Sequence, residues 1–72
     1  MTEYELDDEL NKMIELTGVI RNEKQCNVYT AATRALREAD VYWLSAMYAM
    51  YDLDLDTLSH YVARKYLEKQ GE

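Results

Sequence analysis

Seventy-two residues form one domain, residues 1–72, whose thin core gains more than roughly 3–5 kcal/mol of stability only with disulfides, a structural metal or a partner subunit. Cys26 is the only cysteine, which excludes an internal disulfide and a multi-cysteine zinc site, fits a reducing compartment and leaves assembly as a homo-oligomer. Fourteen acidic against eight basic side chains give a net charge of −6, which opposes general attraction to nucleic-acid phosphates or an anionic membrane.

No stretch approaches the roughly 18 apolar residues that span a bilayer, and the N-terminus has no basic region leading into an apolar run. These features predict a cytoplasmic protein without a membrane or direct nucleic-acid partner. The charge is uneven along the chain. Residues 1–20 carry −5, residues 21–37 carry +3, residues 38–56 carry −5 and residues 57–72 carry +1. A basic island of Arg21, Lys24, Arg34 and Arg37 therefore lies between two acidic blocks.

The chain has no proline and two glycines, so little opposes continuous helix. Thr2 and Glu5 have capping-box spacing, with Glu3, Asp7 and Asp8 placed where a helix N-terminus favours negative charge. Leu6, Leu10, Met13, Thr17 and Ile20 then recur at helical intervals, predicting helix 1 over about residues 2–21. Gly18 interrupts it at a cost of about 1 kcal/mol relative to alanine, marking a bend or a close approach by another helix.

The polar stretch 22–27 predicts the turn of an antiparallel helical hairpin. Helix 2 is expected over about residues 27–51. Val28, Ala32, Ala35, Ala39, Tyr42, Ala46 and Ala49 form a small stripe, and Tyr29, Leu36, Trp43, Met47 and Met50 a bulkier one beside it. Such a helix would be roughly 37 Å long at 1.5 Å per residue, too long for a compact monomer of this size to cover, which predicts a second subunit. Asp52, Asp54 and Asp56 supply N-cap chemistry for a third, C-terminal helix over about residues 55–69, with Leu58, Val62 and Tyr66 on its apolar face. The expected fold is all-α.

The alternating aspartates at 52, 54 and 56 match the first three ligand positions of an EF-hand loop. The same loop then needs glycine where Thr57 stands and glutamate where Ala63 stands. Helix capping accounts for them better, and no metal or cofactor is expected. Cys26 and His60 are a lone pair without a catalytic signature, and no glycine-rich phosphate loop or serine elbow is present. The chain therefore reads as a binding protein rather than an enzyme.

Seven tyrosines and one tryptophan, with no phenylalanine, favour an interface, because these side chains bury an apolar body while keeping a polar tip. Tyr42, Trp43, Met47, Tyr48, Met50 and Tyr51 crowd the second half of helix 2, which fits a core shared with helix 3 and a recognition surface equally; in the second reading Tyr42, Trp43, Met47, Tyr48 and Tyr51 are the expected binding residues, supported by Arg21, Lys24, Arg34 and Arg37.

The run Ala32-Thr33-Arg34-Ala35-Leu36-Arg37-Glu38-Ala39-Asp40-Val41-Tyr42-Trp43-Leu44-Ser45-Ala46-Met47 carries the pattern A-x-x-x-L-x-E-A, then an apolar-aromatic pair, then alanine. It resembles the long helix of the phage helical-hairpin domain of anti-CBASS and anti-Thoeris signal sponges. That resemblance implies a helical oligomer that binds cyclic oligonucleotide immune signals, with the basic island for phosphates and the tyrosines for bases.

The expected function is a viral-type counter-defence or regulatory protein that sequesters or blocks a host component. A nucleotide second-messenger sponge is one alternative. The other is an acidic DNA mimic that inhibits a nucleic-acid-binding enzyme, using Glu3, Glu5, Asp7, Asp8, Asp52, Asp54 and Asp56.

Overall fold

The computed structural model describes residues 3–71, with side chains for residues 6–40 and 42–71. Among these residues the chain is all-helical: α1 (Glu3–Lys24), α2 (Val28–Arg37), α3 (Val41–Tyr51) and α4 (Leu55–Gln70). None of these helices is long and apolar enough to cross a membrane. The Thr2–Glu5 capping box lies outside the residues whose side chains are described.

In α1 the apolar intervals place Leu6, Met13, Ile14 and Ile20 in the core, and Thr17 joins them fully buried. Its hydroxyl donates to Met13 O at 2.7 Å, which satisfies a polar group that would otherwise be costly to bury. Gly18 does not end the helix. A Cβ there would stand 3.0 Å from Tyr66 Cε2, so the missing side chain is the space in which the Tyr66 ring lies against α1. The helix runs on to Lys24, and Gln25, with φ of 52°, turns the chain away.

Asn27 then opens α2 by accepting from Thr30 N at 2.8 Å. The small residues of α2 are its buried ones: Ala31, Ala32 and Ala35 are inaccessible, as is Leu36. Small side chains allow close approach of α2 to its neighbours α1 and α4.

The expected helix over residues 27–51 is two helices. Its intervals contain no proline or glycine, yet the ladder stops at Glu38, whose N–H bonds Ala35 O at 3.1 Å, while Ala39 N bonds Leu36 O at 3.1 Å. Asp40 adopts an extended backbone and accepts from Tyr42 N at 2.7 Å and Trp43 N at 3.4 Å. An aspartate that bonds the next turn's amides this way starts a new helix rather than continuing the old one. With α2 at 10 residues and α3 at 11, the length argument for a second subunit no longer applies. The Ala32–Met47 run that carries the sponge resemblance likewise lies on two short helices.

The three aspartates of the α3–α4 link divide the work of a tight connection. Asp52 closes α3 in the left-handed conformation, φ 52° and ψ 46°, which short polar side chains tolerate. Asp54 caps α4 by accepting from Thr57 N at 2.7 Å. Asp56, in the first turn of α4, accepts from the Tyr29 hydroxyl and lies 3.8 Å from His60 Nε2, so it ties the start of α4 to α2. Thr33 Oγ1 stands 3.0 Å from Ser59 Oγ between the same two helices, and Ser59 donates to Leu55 O at 2.8 Å.

Candidate recognition surface on α3

The sequence of α3, VYWLSAMYAMY, has no charged side chain, whereas the chain as a whole is 31% charged. A helix apolar on every side normally lies inside a protein. This one does not. Among the described side chains of α3 only Trp43 and Met47, one turn apart, are buried, and they attach α3 to α1. The Trp43 indole N–H donates to Leu6 O at 3.1 Å, giving the ring a polar tether as well as apolar burial.

The remainder faces outward. Tyr42 is 82% exposed, Met50 53% and Tyr51 47%, with Ser45 and Ala49 also exposed and Leu44, Ala46 and Tyr48 half-buried. At 3.6 residues per turn, Tyr42, Ser45, Ala46 and Ala49 share one side of the helix, and Met50 flanks it. Exposed apolar residues scattered singly are ordinary on any protein surface. A whole uncharged helix face is not, and such faces mark interaction sites.

The binding residues expected from sequence divide accordingly. Tyr42 and Tyr51 are accessible and Tyr48 partly so, while Trp43 and Met47 are core, because the bulky stripe of α3 is the one that meets α1. Trp43 therefore supports the surface instead of forming it. Met50 belongs to that surface. Its place was not separable in the sequence, where every position of the helix is apolar or small.

The basic island divides between the ends of two helices, Arg21 and Lys24 in the last turn of α1, Arg34 and Arg37 in the last turn of α2. Arg21 lies at the α1–α4 contact, 3.4 Å from Tyr66 Oη and 5.9 Å above the Tyr66 ring, in a groove that also includes Lys69, Asn22 and Gln70. Neither Arg34 nor Arg37 lines that groove; both are exposed on α2, and Lys24 is exposed at the end of α1.

The structure also forms a cavity of about 250 Å³ that no single segment announces. Leu6, Asp7 and Leu10 of α1, Met47 and Tyr51 of α3, Leu53 of the link and Tyr61 of α4 line it. Among the described residues Asp7 is its one charged side chain. An adjoining groove shares Leu53 and includes Asp52 and Asp54, so the two acidic blocks of the sequence meet at this end of the molecule. Among the described residues no group of three or more His, Cys, Asp or Glu side chains is arranged to hold a metal ion.

Tyr29, Asp56 and His60 form a second polar cluster, with the Tyr29 and His60 rings 4.5 Å apart. The Asp56 hydrogen bond raises the Tyr29 hydroxyl above its ordinary pKa of 10.0, so it remains protonated at neutral pH. The cluster is a latch between α2 and α4, and its His60 also lines a groove with Leu53, Thr57, Tyr61 and Arg64. Comparison of the chain with protein-family models, curated proteins and solved structures gives no match.

Proposed function

We propose that this chain is a binding protein that captures another macromolecule on the exposed side of α3, the activity expected of a counter-defence or regulatory protein that sequesters or blocks a host component. One observation carries this reading. An uncharged helix is held to the body by Trp43 and Met47 while Tyr42, Ser45 and Ala49 stand exposed on one side of it, with Met50 beside them. Tyrosine is a favoured hot-spot residue, and α3 presents these side chains on a rigid element of regular geometry. A homo-oligomer would use the same face, since Tyr42 and Met50 are apolar surface that the fold leaves uncovered there.

The test is affinity capture from bacterial lysate with the tagged protein and with Met50→Glu, followed by mass spectrometry of proteins and small molecules. Met50 is half exposed, so the variant keeps its fold. A protein retained by the wild type and lost with Met50→Glu supports the proposal. Capture that is indifferent to the substitution contradicts it.

A further inference from the structure

We infer that the cavity beside the C-terminal end of α3 is a socket for one large apolar side chain of a partner segment whose neighbouring residues are basic. This rests on the reading of α3 as a recognition surface, because Met47 and Tyr51 belong both to that helix and to the cavity wall.

Volume sets the size of the occupant. Apolar cavities of about 150 Å³ accept a benzene ring, and pockets for drug-sized ligands run from about 300 to 1,000 Å³. At about 250 Å³ the cavity matches one aromatic or long aliphatic side chain rather than a nucleotide. Its wall is already in place. Leu6 and Met47 are buried core residues, 1% and 4% exposed, so the cavity does not have to be built at the moment of binding.

Charge sets the neighbours of the occupant. Asp7 stands in the wall, Asp52 and Asp54 flank the adjoining groove, and the whole chain carries −6. An anionic partner would be repelled, and a cationic one is steered toward this end. Arg64 and Lys65 stand 5.8 and 5.5 Å from the Tyr61 ring, so the basic residues of the partner lie toward Asp7 and Asp52, away from α4.

The experiment is calorimetric titration of the purified chain with the capped peptide Lys-Lys-Phe-Lys-Lys, alongside peptides in which the phenylalanine is alanine or the four lysines are glutamates. The first peptide is expected to bind, the alanine peptide about thirtyfold more weakly as for loss of one interface anchor, and the glutamate peptide about tenfold or more weaker through charge. Leu10→Trp, which fills the cavity, and Asp7→Lys, an exposed position whose substitution leaves folding intact, should each weaken the first peptide by similar factors. No binding at millimolar peptide, equal binding of the alanine peptide, or binding unmoved by both variants overturns the socket. A solution mass above 8.5 kDa that Leu10→Trp returns to 8.5 kDa would instead seat a second copy there and also overturns it. Failure of the socket with Met50→Glu still abolishing macromolecular capture leaves the α3 reading standing, and failure of both removes the two together.

Discussion

The Trp43 indole nitrogen donates to the carbonyl oxygen of Leu6 at 3.1 Å, joining residues 37 positions apart in sequence and tethering α3 to the first turns of α1. Trp43 is fully buried, so Trp43→Ala should cost about 3–5 kcal/mol, a typical value for truncating a core aromatic. Since Met47 is the only other buried anchor among the described side chains of α3, the amides of this helix should lose exchange protection before those of α1 and α2. Urea denaturation and amide exchange measure the two effects. Uniform loss of protection over all four helices would show that α3 is more firmly held than its contacts imply.

Asp40 separates α2 from α3 by capping the latter, and its removal tests that cause. Asp40→Ala should lower stability by about 1 kcal/mol, whereas Asp40→Asn, which caps about as well, should leave it nearly unchanged. Circular dichroism during urea unfolding distinguishes them. Equal stability of the alanine and wild-type proteins would mean the break is fixed by packing alone.

Gly18→Ala sets helix propensity against packing. Propensity favours alanine by about 1 kcal/mol. The added Cβ meets Tyr66 Cε2 at 3.0 Å, and Tyr66 is only 6% exposed, so overpacking of about 1–3 kcal/mol should prevail and the variant should be less stable. In a Tyr66→Leu background the same substitution should stabilise, and this change of sign is readable in a double-mutant cycle.

Two exposed hydrogen bonds give stability a defined pH dependence. The Thr57 amide bond to Asp54 holds that carboxyl below its ordinary 3.8, so its contribution is present above pH 3.8 and is lost as pH falls through the lowered value. Asp54→Asn should cap α4 without this acid-side loss. The Asp56 bond holds the Tyr29 hydroxyl above 10.0, so that contribution is complete below pH 10.0 and disappears as pH rises through the raised value. Denaturation midpoints against pH for wild type, Asp54→Asn and Tyr29→Phe measure both. A Tyr29→Phe profile that still loses stability as steeply above pH 10 would assign the alkaline change to other groups.

Helical class was legible because the absence of proline, the 3–4 apolar spacing of α1 and the polar cap residues all act within a turn or two of the chain. Asn27 and Asp54 could be read as starts for the same reason. Asp40 gives the same local signal, an aspartate ahead of an apolar run, but the alanine stripe continues through it and suggested one long helix. Which apolar face of α3 is buried could not be read, since Tyr42 and Trp43 are adjacent and chemically alike, and only the approach of Leu6 decides between them. The cavity was equally invisible: its wall draws on α1, α3, the link and α4, and no periodicity relates those segments.

The most direct measurement of the central claim compares partner capture by Tyr42→Glu with capture by the double variant Arg34→Glu and Arg37→Glu, after circular dichroism shows that each is folded. All three positions are exposed, and charge changes at exposed sites affect stability little. Recognition through α3 predicts that Tyr42→Glu loses the partner by about thirtyfold or more, as expected for a disrupted hot spot, while the arginine variant retains it. Retention by Tyr42→Glu with loss in the arginine variant would contradict the claim, moving recognition to α2 and to a ligand that carries phosphates.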